Sequence, residues 1–189
     1  MKKQKIEITQ GCILKKVNQD YCVSTDNLAV VLDGCGSGEH SEIGAQRMGE
    51  AIRKNSKKIT SGRKLLSTIV KVFRDIFREG VNAKEFRDKY LFTLLVCIEK
   101  DENFEVHNAG DGYIITIDNN KNVKYIKINN NIMVEGGNAP RYIAYDFIGG
   151  GMYKECAFLD IRFFPKSDYQ SVYVATDGLR FILSDRFPK

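Results

Sequence analysis

The sequence lacks several features that would assign it to a familiar class of protein. No apolar run approaches the length of a membrane-spanning helix. The basic residues at the N-terminus are not followed by an apolar h-region, so we expect no secretory signal peptide. The five cysteines are scattered, with no CxxC pair and no His/Cys cluster, which argues against a zinc site or a disulfide framework. These absences favour a soluble, cytoplasmic chain with reduced thiols.

Signals for nucleic-acid or nucleotide binding are also missing. The sequence contains no RNP-like aromatic motif, and its formal net charge of +5 is modest. Basic residues concentrate between Arg47 and Arg87, but acidic residues are interspersed there, which is typical of a solvated helix face. Gly36-Ser37-Gly38 has no P-loop lysine–threonine pair after it, so nucleotide binding is not indicated.

Composition and periodicity predict one α+β domain spanning residues 1–189. Hydrophobic residues make up 43% of the chain and charged residues 28%, as in soluble globular proteins. Helices are predicted from near Ser37 to Ile52 and along Leu65–Phe77, where apolar residues follow helical spacing. Lys15–Asn27 looks loop-like, and the glycine- and asparagine-rich Asn129–Gly151 looks like an irregular excursion from a sheet. Short apolar or alternating runs predict strands at Ile6–Thr9, Leu28–Leu32, Leu91–Ile98, Phe104–Asn108, Tyr113–Ile117, Val123–Ile128, Cys156–Phe164 and Val172–Thr176.

Three strand-like runs end in Asp-Gly, at Asp33-Gly34, Asp111-Gly112 and Asp177-Gly178. A buried strand fixes the position of the residue at its end, and an adjacent glycine lets a ligand approach the backbone. Carboxylates that converge in this way repel one another, and oxygen ligands favour a hard divalent cation such as Mg²⁺ or Mn²⁺. The alternative is that each Asp-Gly is only a hairpin turn, which would leave the three aspartates scattered in space.

Several short motifs occur in order along nearly the whole chain, and together they resemble those of the PP2C-type metal-dependent protein phosphatases. They are Asn18-Gln19-Asp20, Val30–Gly38, Gly44-Ala45, Thr93-Leu94-Leu95-Val96, Asn108–Gly112 and Ala175–Leu179. The resemblance implies a PP2C-like β-sandwich of two antiparallel sheets flanked by helices, in α/β/β/α layers. It also implies a binuclear Mg²⁺/Mn²⁺ site at one end of the sandwich.

The resemblance implies roles for individual residues as well. Asp33 would bridge two metal ions, the carbonyl of Gly34 would ligate one of them, and Asp177 would complete a second position. Asp111 matches the aspartate that helps hold a third, weaker metal ion in bacterial members, and Asp20 would orient metal-bound water. No side-chain nucleophile is required, because metal-activated water attacks the phosphorus.

The chain also departs from the family pattern. Lys15 stands where a phosphate-binding arginine is usual, and it would hold the substrate phosphate as a point charge without a bidentate fork. Gln19 replaces the glutamate of some members, and Cys35 replaces a histidine general acid. Cys35 is interpreted as a small filler residue, and His40 and His107 as structural or incidental.

The family's final Asp-Asn or Asp-Asp motif and its last strands have no counterpart before Lys189. Either the chain is part of a longer protein or it is a short member with an incomplete metal site. Missing strands would expose a sheet edge, and dimerisation by edge pairing is the hypothesis that follows.

The leading functional prediction is a metal-dependent protein serine/threonine phosphatase that hydrolyses phosphoprotein monoesters. Its expected partners are a phosphoprotein substrate and a kinase that opposes it, with no nucleic acid and no membrane. The alternative is a non-catalytic PP2C-like pseudophosphatase or interaction module, which the missing motif, Lys15 and Cys35 favour. A third reading is an unrelated β-rich binding protein. Metal titration distinguishes the first two.

Overall fold

The computed structural model describes residues 18–134, 137–147 and 159–186. Within these residues the chain forms ten strands and four α-helices. The strands are β1 Asp20–Ser24, β2 Leu28–Gly34, β3 Phe92–Glu99, β4 Asn103–Ala109, β5 Gly112–Asp118, β6 Val123–Ile128, β7 Asn131–Val134, β8 Gly137–Pro140, β9 Asp160–Pro165 and β10 Tyr169–Ala175. The helices are α1 Ser41–Asn55, α2 Gly62–Arg78, α3 Ala83–Tyr90 and α4 Leu179–Arg186.

Two antiparallel sheets pack face to face. Sheet I has the strand order β1-β2-β3-β4-β9, and sheet II has the order β10-β5-β6. Strands β7 and β8 form a separate hairpin. The inner faces of the sheets meet in one apolar cluster of buried side chains, formed by Leu95, Cys97, Phe104, Val106, Ile114, Ile128 and Phe164.

A second and larger core lies between sheet I and the helices. Strand β2 alternates, so Leu28, Val30 and Leu32 enter this core while Ala29 and Val31 face sheet II. Strand β3 is buried on both faces because it lies at the centre of sheet I, with the helices on one side and sheet II on the other. The apolar stripe of α2 includes Leu65, Ile69 and Phe73, all fully buried in this core.

This arrangement confirms the predicted α+β class with antiparallel sheets and helices. Both predicted helices are present, and each of α2 and α3 begins at a side-chain cap. The Ser61 hydroxyl accepts from the Lys64 amide at 3.4 Å, and the Asn82 side chain accepts from the Glu85 amide at 3.0 Å. Among the described helices, none is long and apolar enough to cross a membrane.

Five elements depart from the sequence-based prediction. Strand β1 lies within the segment expected to be loop-like. The sequence did not indicate it, because Val23 is the one buried side chain among its five residues and its conformation depends on pairing with β2. Helix α3 was missed because Phe86 and Tyr90 are its only buried residues. Helix α4 was also missed, and the β7–β8 hairpin lies within the expected excursion.

Some predictions fall outside the described residues. These are Lys15, the strand Ile6–Thr9 and the first three residues of the predicted strand Cys156–Phe164.

Candidate active site

The acidic residues begin as a row across sheet I. Asp20 on β1 is directly opposite Asp33 on β2, and Asp33 is directly opposite Thr93 on β3. Asp33 lies two residues after Val31, and Thr93 lies two residues before Leu95. Side chains two residues apart in a strand point to the same face, and Val31 and Leu95 face sheet II, so this row lies on the inner face of sheet I. The alternation that buries β2 therefore places the Asp33 carboxyl at the end of the space between the sheets.

The chain crosses from sheet I to sheet II at Gly110-Asp111-Gly112, between β4 and β5. Gly110 has φ +92° and Gly112 has φ +144°, conformations that residues with a side chain rarely adopt. A Cβ at Gly110 would lie 2.7 Å from Thr93 Cγ2, and a Cβ at Gly112 would lie 2.7 Å from the Ala175 carbonyl oxygen. The two glycines therefore permit a tight crossover, and this places Asp111 beside the row of sheet I.

Asp177 reaches the same end of the sandwich through sheet II. Ala175, the last residue of β10, is opposite Tyr113 on β5. Asp177 follows Ala175 by two residues and Asp111 precedes Tyr113 by two, so antiparallel pairing brings both aspartates to one edge. The Arg180 guanidinium lies 3.7 Å from the Asp177 carboxylate.

The electrostatics of the four aspartates show that they share one environment. Burial raises the pKa of Asp33 to about 8, and the charge and hydrogen bond of Asp20 and the charges of Asp177 and Asp111 add to the rise. Burial, followed by the charge of Asp177, also raises the pKa of Asp111, although Lys127 and Arg180 oppose this. The aspartates of the three Asp-Gly pairs therefore interact with one another, unlike three unrelated turns.

The donor set suits a hard divalent cation. All of the candidate ligands bind through oxygen atoms. Two of them, the carboxyls of Asp33 and Asp111, have raised pKa values, so a neighbouring positive charge would favour their ionised form. Gly34 is closely packed, since a Cβ there would lie 2.6 Å from Ser41 Oγ and 2.8 Å from the Gln19 carbonyl oxygen. Two buried polar side chains on the inner face of sheet I, Thr93 and Asn108, have atoms without a hydrogen-bond partner among the described residues.

The carboxylates do not form a closed cage in this geometry. In the described part of the chain, no three His, Cys, Asp or Glu side chains are grouped so that they could hold one ion. Instead, the Asp33 and Asp20 carboxyls hydrogen-bond to each other. Protonation of Asp33 lowers the repulsion between these carboxyls, as a bound cation would.

The loop after Asp33-Gly34 is anchored by Cys35. The Cys35 thiol contacts the Ser37 hydroxyl at 3.1 Å and also hydrogen-bonds to Tyr142, while the Cys35 carbonyl accepts from Ser41 Oγ at 3.0 Å. Burial opposes ionisation of the thiol, but the hydrogen bonds of Ser37, Tyr142 and two backbone amides outweigh it and lower the Cys35 pKa. Cys35 is buried, as a filler would be, but it also joins two segments of the chain.

Tyr142 is a residue that sequence reasoning missed. It is 7% exposed, and burial, followed by the hydrogen bond with Cys35, raises its pKa, with the Asp111 charge contributing. The short 3₁₀ turn Ile143–Asp146 follows it, and the Phe147 ring packs tilted against Phe73 of α2, with 4.5 Å between ring centroids and 36° between ring planes. Tyr142 thus brings the segment after the β7–β8 hairpin to the Asp-Gly loop. No local sequence pattern indicates this role of Tyr142, because its partners are distant in sequence.

The two histidines lie elsewhere. The His40 side chain is 59% exposed at the start of α1, 3.3 Å from a Glu42 carboxylate oxygen. His107 is buried on the helix-facing side of β4, where its ring fills the space left by Gly62, and burial lowers its pKa. Its Nε2 is 3.3 Å from Glu105. Neither histidine occupies the position of a general acid beside Asp33.

Sequence comparison assigns the family. The family model described as protein phosphatase 2C matches residues 14–189, and the chain belongs to this family. No curated protein matches the sequence significantly.

Solved structures share the fold at low sequence identity. The chain is similar to the catalytic domain of the serine/threonine protein phosphatase PstP in complex with two manganese ions, with 13% identity, a TM-score of 0.63, and 92% of this chain and 77% of that chain covered. It is similar to Stp1 from Staphylococcus aureus, with 13% identity, a TM-score of 0.54 and coverage of 92% and 74%. It is also similar to MsPP from Mycobacterium smegmatis in complex with cacodylate, with 13% identity, a TM-score of 0.56 and coverage of 94% and 82%.

Proposed function

We propose that this protein is a metal-dependent serine/threonine phosphatase that hydrolyses phosphoprotein monoesters. The observation that carries the proposal is the meeting of Asp20, Asp33, Asp111 and Asp177 at one end of the sandwich, where burial and mutual repulsion raise the pKa of Asp33 and Asp111. Membership of the protein phosphatase 2C family supports this reaction class.

The metal centre is part of the proposal. Asp33, the carbonyl of Gly34 and Asp177 would hold two Mn²⁺ or Mg²⁺ ions, and Asp111 would help to hold a third. Divalent ions at this position would activate water near neutral pH and neutralise the phosphoryl oxygens. The PstP structure, which shares the fold, is described with two manganese ions.

This chain's own residues would bind and orient the substrate. Asp20, directly opposite Asp33 on the neighbouring strand, would orient the water at the metal centre. The cations Arg180 and Lys127 are near enough to influence Asp111, and they would offset the acidic charge when a phosphate group enters. Lys15 stays a predicted phosphate-binding residue. The β7–β8 hairpin lies in the glycine-rich segment 129–151, which corresponds to the family's flap and would help to select substrates. A protein kinase acting on the same substrates is the proposed counterpart.

The test is hydrolysis of p-nitrophenyl phosphate by the 189-residue chain with Mn²⁺. Asp33→Asn and Asp177→Asn should each lower kcat/KM by at least about 100-fold, since even groups behind metal ligands are worth about 10- to 100-fold. The matched control is Asp26→Asn in the exposed turn after β1, expected to stay within about twofold of wild type. Absence of Mn²⁺-dependent hydrolysis by the folded wild-type chain would contradict the proposal.

The second candidate is a non-catalytic PP2C-like interaction module. The observation that favours it is that the described side chains include no ready group of three metal ligands. Calorimetric titration with Mn²⁺ separates the candidates, because a pseudophosphatase with a broken site binds the ion weakly or not at all. A chain that binds Mn²⁺ tightly but hydrolyses neither phosphopeptides nor p-nitrophenyl phosphate would favour a non-catalytic module that uses the metal as part of its scaffold.

A further inference from the structure

Thr93 is the first residue of one of the family-like motifs and lies centrally in the acidic row, but the sequence assigned it no role. It lies on β3, directly opposite Asp33, in the strand with helices on one side and sheet II on the other. Residues directly opposite each other in an antiparallel pair have Cβ atoms about 4.5–5.5 Å apart. The Thr93 side chain therefore flanks the Asp33 side chain on the side away from Asp20.

The Thr93 hydroxyl is buried, and the described residues offer it no hydrogen-bond partner. The residue is 3% exposed, and Oγ1 has no hydrogen-bond partner among the described residues. An unpaired buried hydroxyl costs about 1–3 kcal/mol, whereas valine has nearly the same shape and would avoid this cost. A threonine at this position therefore weakens the fold unless its hydroxyl serves another group.

The crossover orients the Thr93 side chain. A Cβ built on Gly110 would lie 2.7 Å from Thr93 Cγ2 and 2.9 Å from Thr93 Cβ, with Oγ1 not among its three nearest atoms. The methyl group is thus the part of the Thr93 side chain nearest to Gly110, and the hydroxyl is farther from it. Asp33 on β2 is opposite Thr93, whereas Gly110 directly follows Ala109, the last residue of β4, so the methyl is on the β4 side.

We infer that Thr93 is a positioning residue for the proposed metal centre, whose hydroxyl donates a hydrogen bond that holds the Asp33 carboxylate in its cation-binding orientation. The inference depends on the proposed function. When a cation draws the ionised carboxylate away from Asp20, the carboxylate oxygen on the β3 side needs a donor, and Thr93 supplies the nearest hydroxyl on that strand. The cost of the unpaired hydroxyl is then recovered only when the ion is bound.

The test measures Mn²⁺ affinity by calorimetry on the whole chain, and stability in EDTA by circular dichroism. Thr93→Val should weaken Mn²⁺ binding by about 10- to 100-fold, as for other groups that orient metal ligands, while leaving the EDTA-treated protein as stable as wild type or more so. Thr93→Ser should restore the affinity, because it keeps the hydroxyl.

The matched control is Thr116→Val. Thr116 is 1% exposed on β5 and lines a polar pocket at the other end of that strand, with Asp118 and Asp168. It should leave Mn²⁺ affinity unchanged. Equal Mn²⁺ affinity in wild type and Thr93→Val would overturn the role of Thr93 and leave the proposed function standing. A wild-type chain that binds no Mn²⁺ would overturn both.

Discussion

At the scale of single residues, the position of Asp33 in the fold determines the electrostatic environment of its carboxyl group. It ends a buried strand beside a second carboxyl, Asp20, and faces two more across the gap between the sheets. Burial raises the pKa of Asp33 to about 8, and the negative charges of Asp20, Asp177 and Asp111 add to the rise. A bound cation would relieve this repulsion.

The raised pKa of Asp33 predicts how stability changes with pH. Without metal, the folded state keeps a proton on Asp33 between about pH 4 and pH 8, while the unfolded state releases it. The folded state binds more protons in this window, so stability should fall as pH rises, by at most about 1.4 kcal/mol per pH unit from this group.

Urea unfolding in EDTA between pH 5 and pH 8 measures this slope. Asp33→Asn, which cannot ionise, should flatten it, whereas Asp26→Asn should leave it as in wild type. A slope that is the same in wild type and Asp33→Asn would show that Asp33 does not hold its proton in the folded state.

At the scale of elements, helix α1 is held close to the end of α3. A Cβ on Gly44 would lie 2.3 Å from the Lys89 carbonyl oxygen and 2.8 Å from Tyr90 Cα, and both are backbone atoms that cannot rotate away. This contact fixes α1, and the buried Ser41 at its start holds the Cys35 carbonyl beside the acidic site. The helix contact therefore supports the geometry of the Asp-Gly loop.

We expect Gly44→Ala to destabilise the protein by about 1–3 kcal/mol, because overpacking outweighs the usual gain of alanine within a helix. Gly36→Ala is the matched control, since a Cβ there meets nothing within 4 Å, and it should be near neutral. Thermal unfolding monitored by circular dichroism compares the two. A Gly44→Ala protein as stable as wild type would mean that α1 and α3 are not in this close contact.

At the scale of the whole molecule, the acidic site joins the two sheets. Asp20 and Asp33 belong to sheet I, Asp177 follows a strand of sheet II, and Asp111 lies in the crossover. Repulsion among these groups opposes the packing of the sheets at this end. A cation held between them would therefore stabilise the sandwich as a unit.

Mn²⁺ at about 100 times its Kd should add about 2.7 kcal/mol to the free energy of unfolding, because the ion binds the folded state alone. For a chain of this size the Tm should rise by about 5–10 °C. Differential scanning calorimetry with and without EDTA measures the shift. Asp177→Asn should remove most of it, and an undiminished shift in that variant would place the ion elsewhere.

Much of the fold could be predicted from local pattern. The apolar period of α2 and the short runs of β2–β6 identify those elements, because burial against a core imposes a period on one stretch of chain. Strand β1 and helix α3 could not be predicted, since each has only one or two buried side chains and depends on its neighbours.

The sequence by itself determined the chemistry of the acidic residues: aspartates at the ends of strands, each followed by glycine, which can bind hard cations. The tertiary structure decided which residues lie beside them. Register across β1, β2 and β3 put Asp20 and Thr93 on either side of Asp33, and the segment after β8 brought Tyr142 to Cys35. The positions where strands end can be predicted from local sequence. Register and sheet packing bring together residues that are many positions apart, and only the folded chain specifies these pairs.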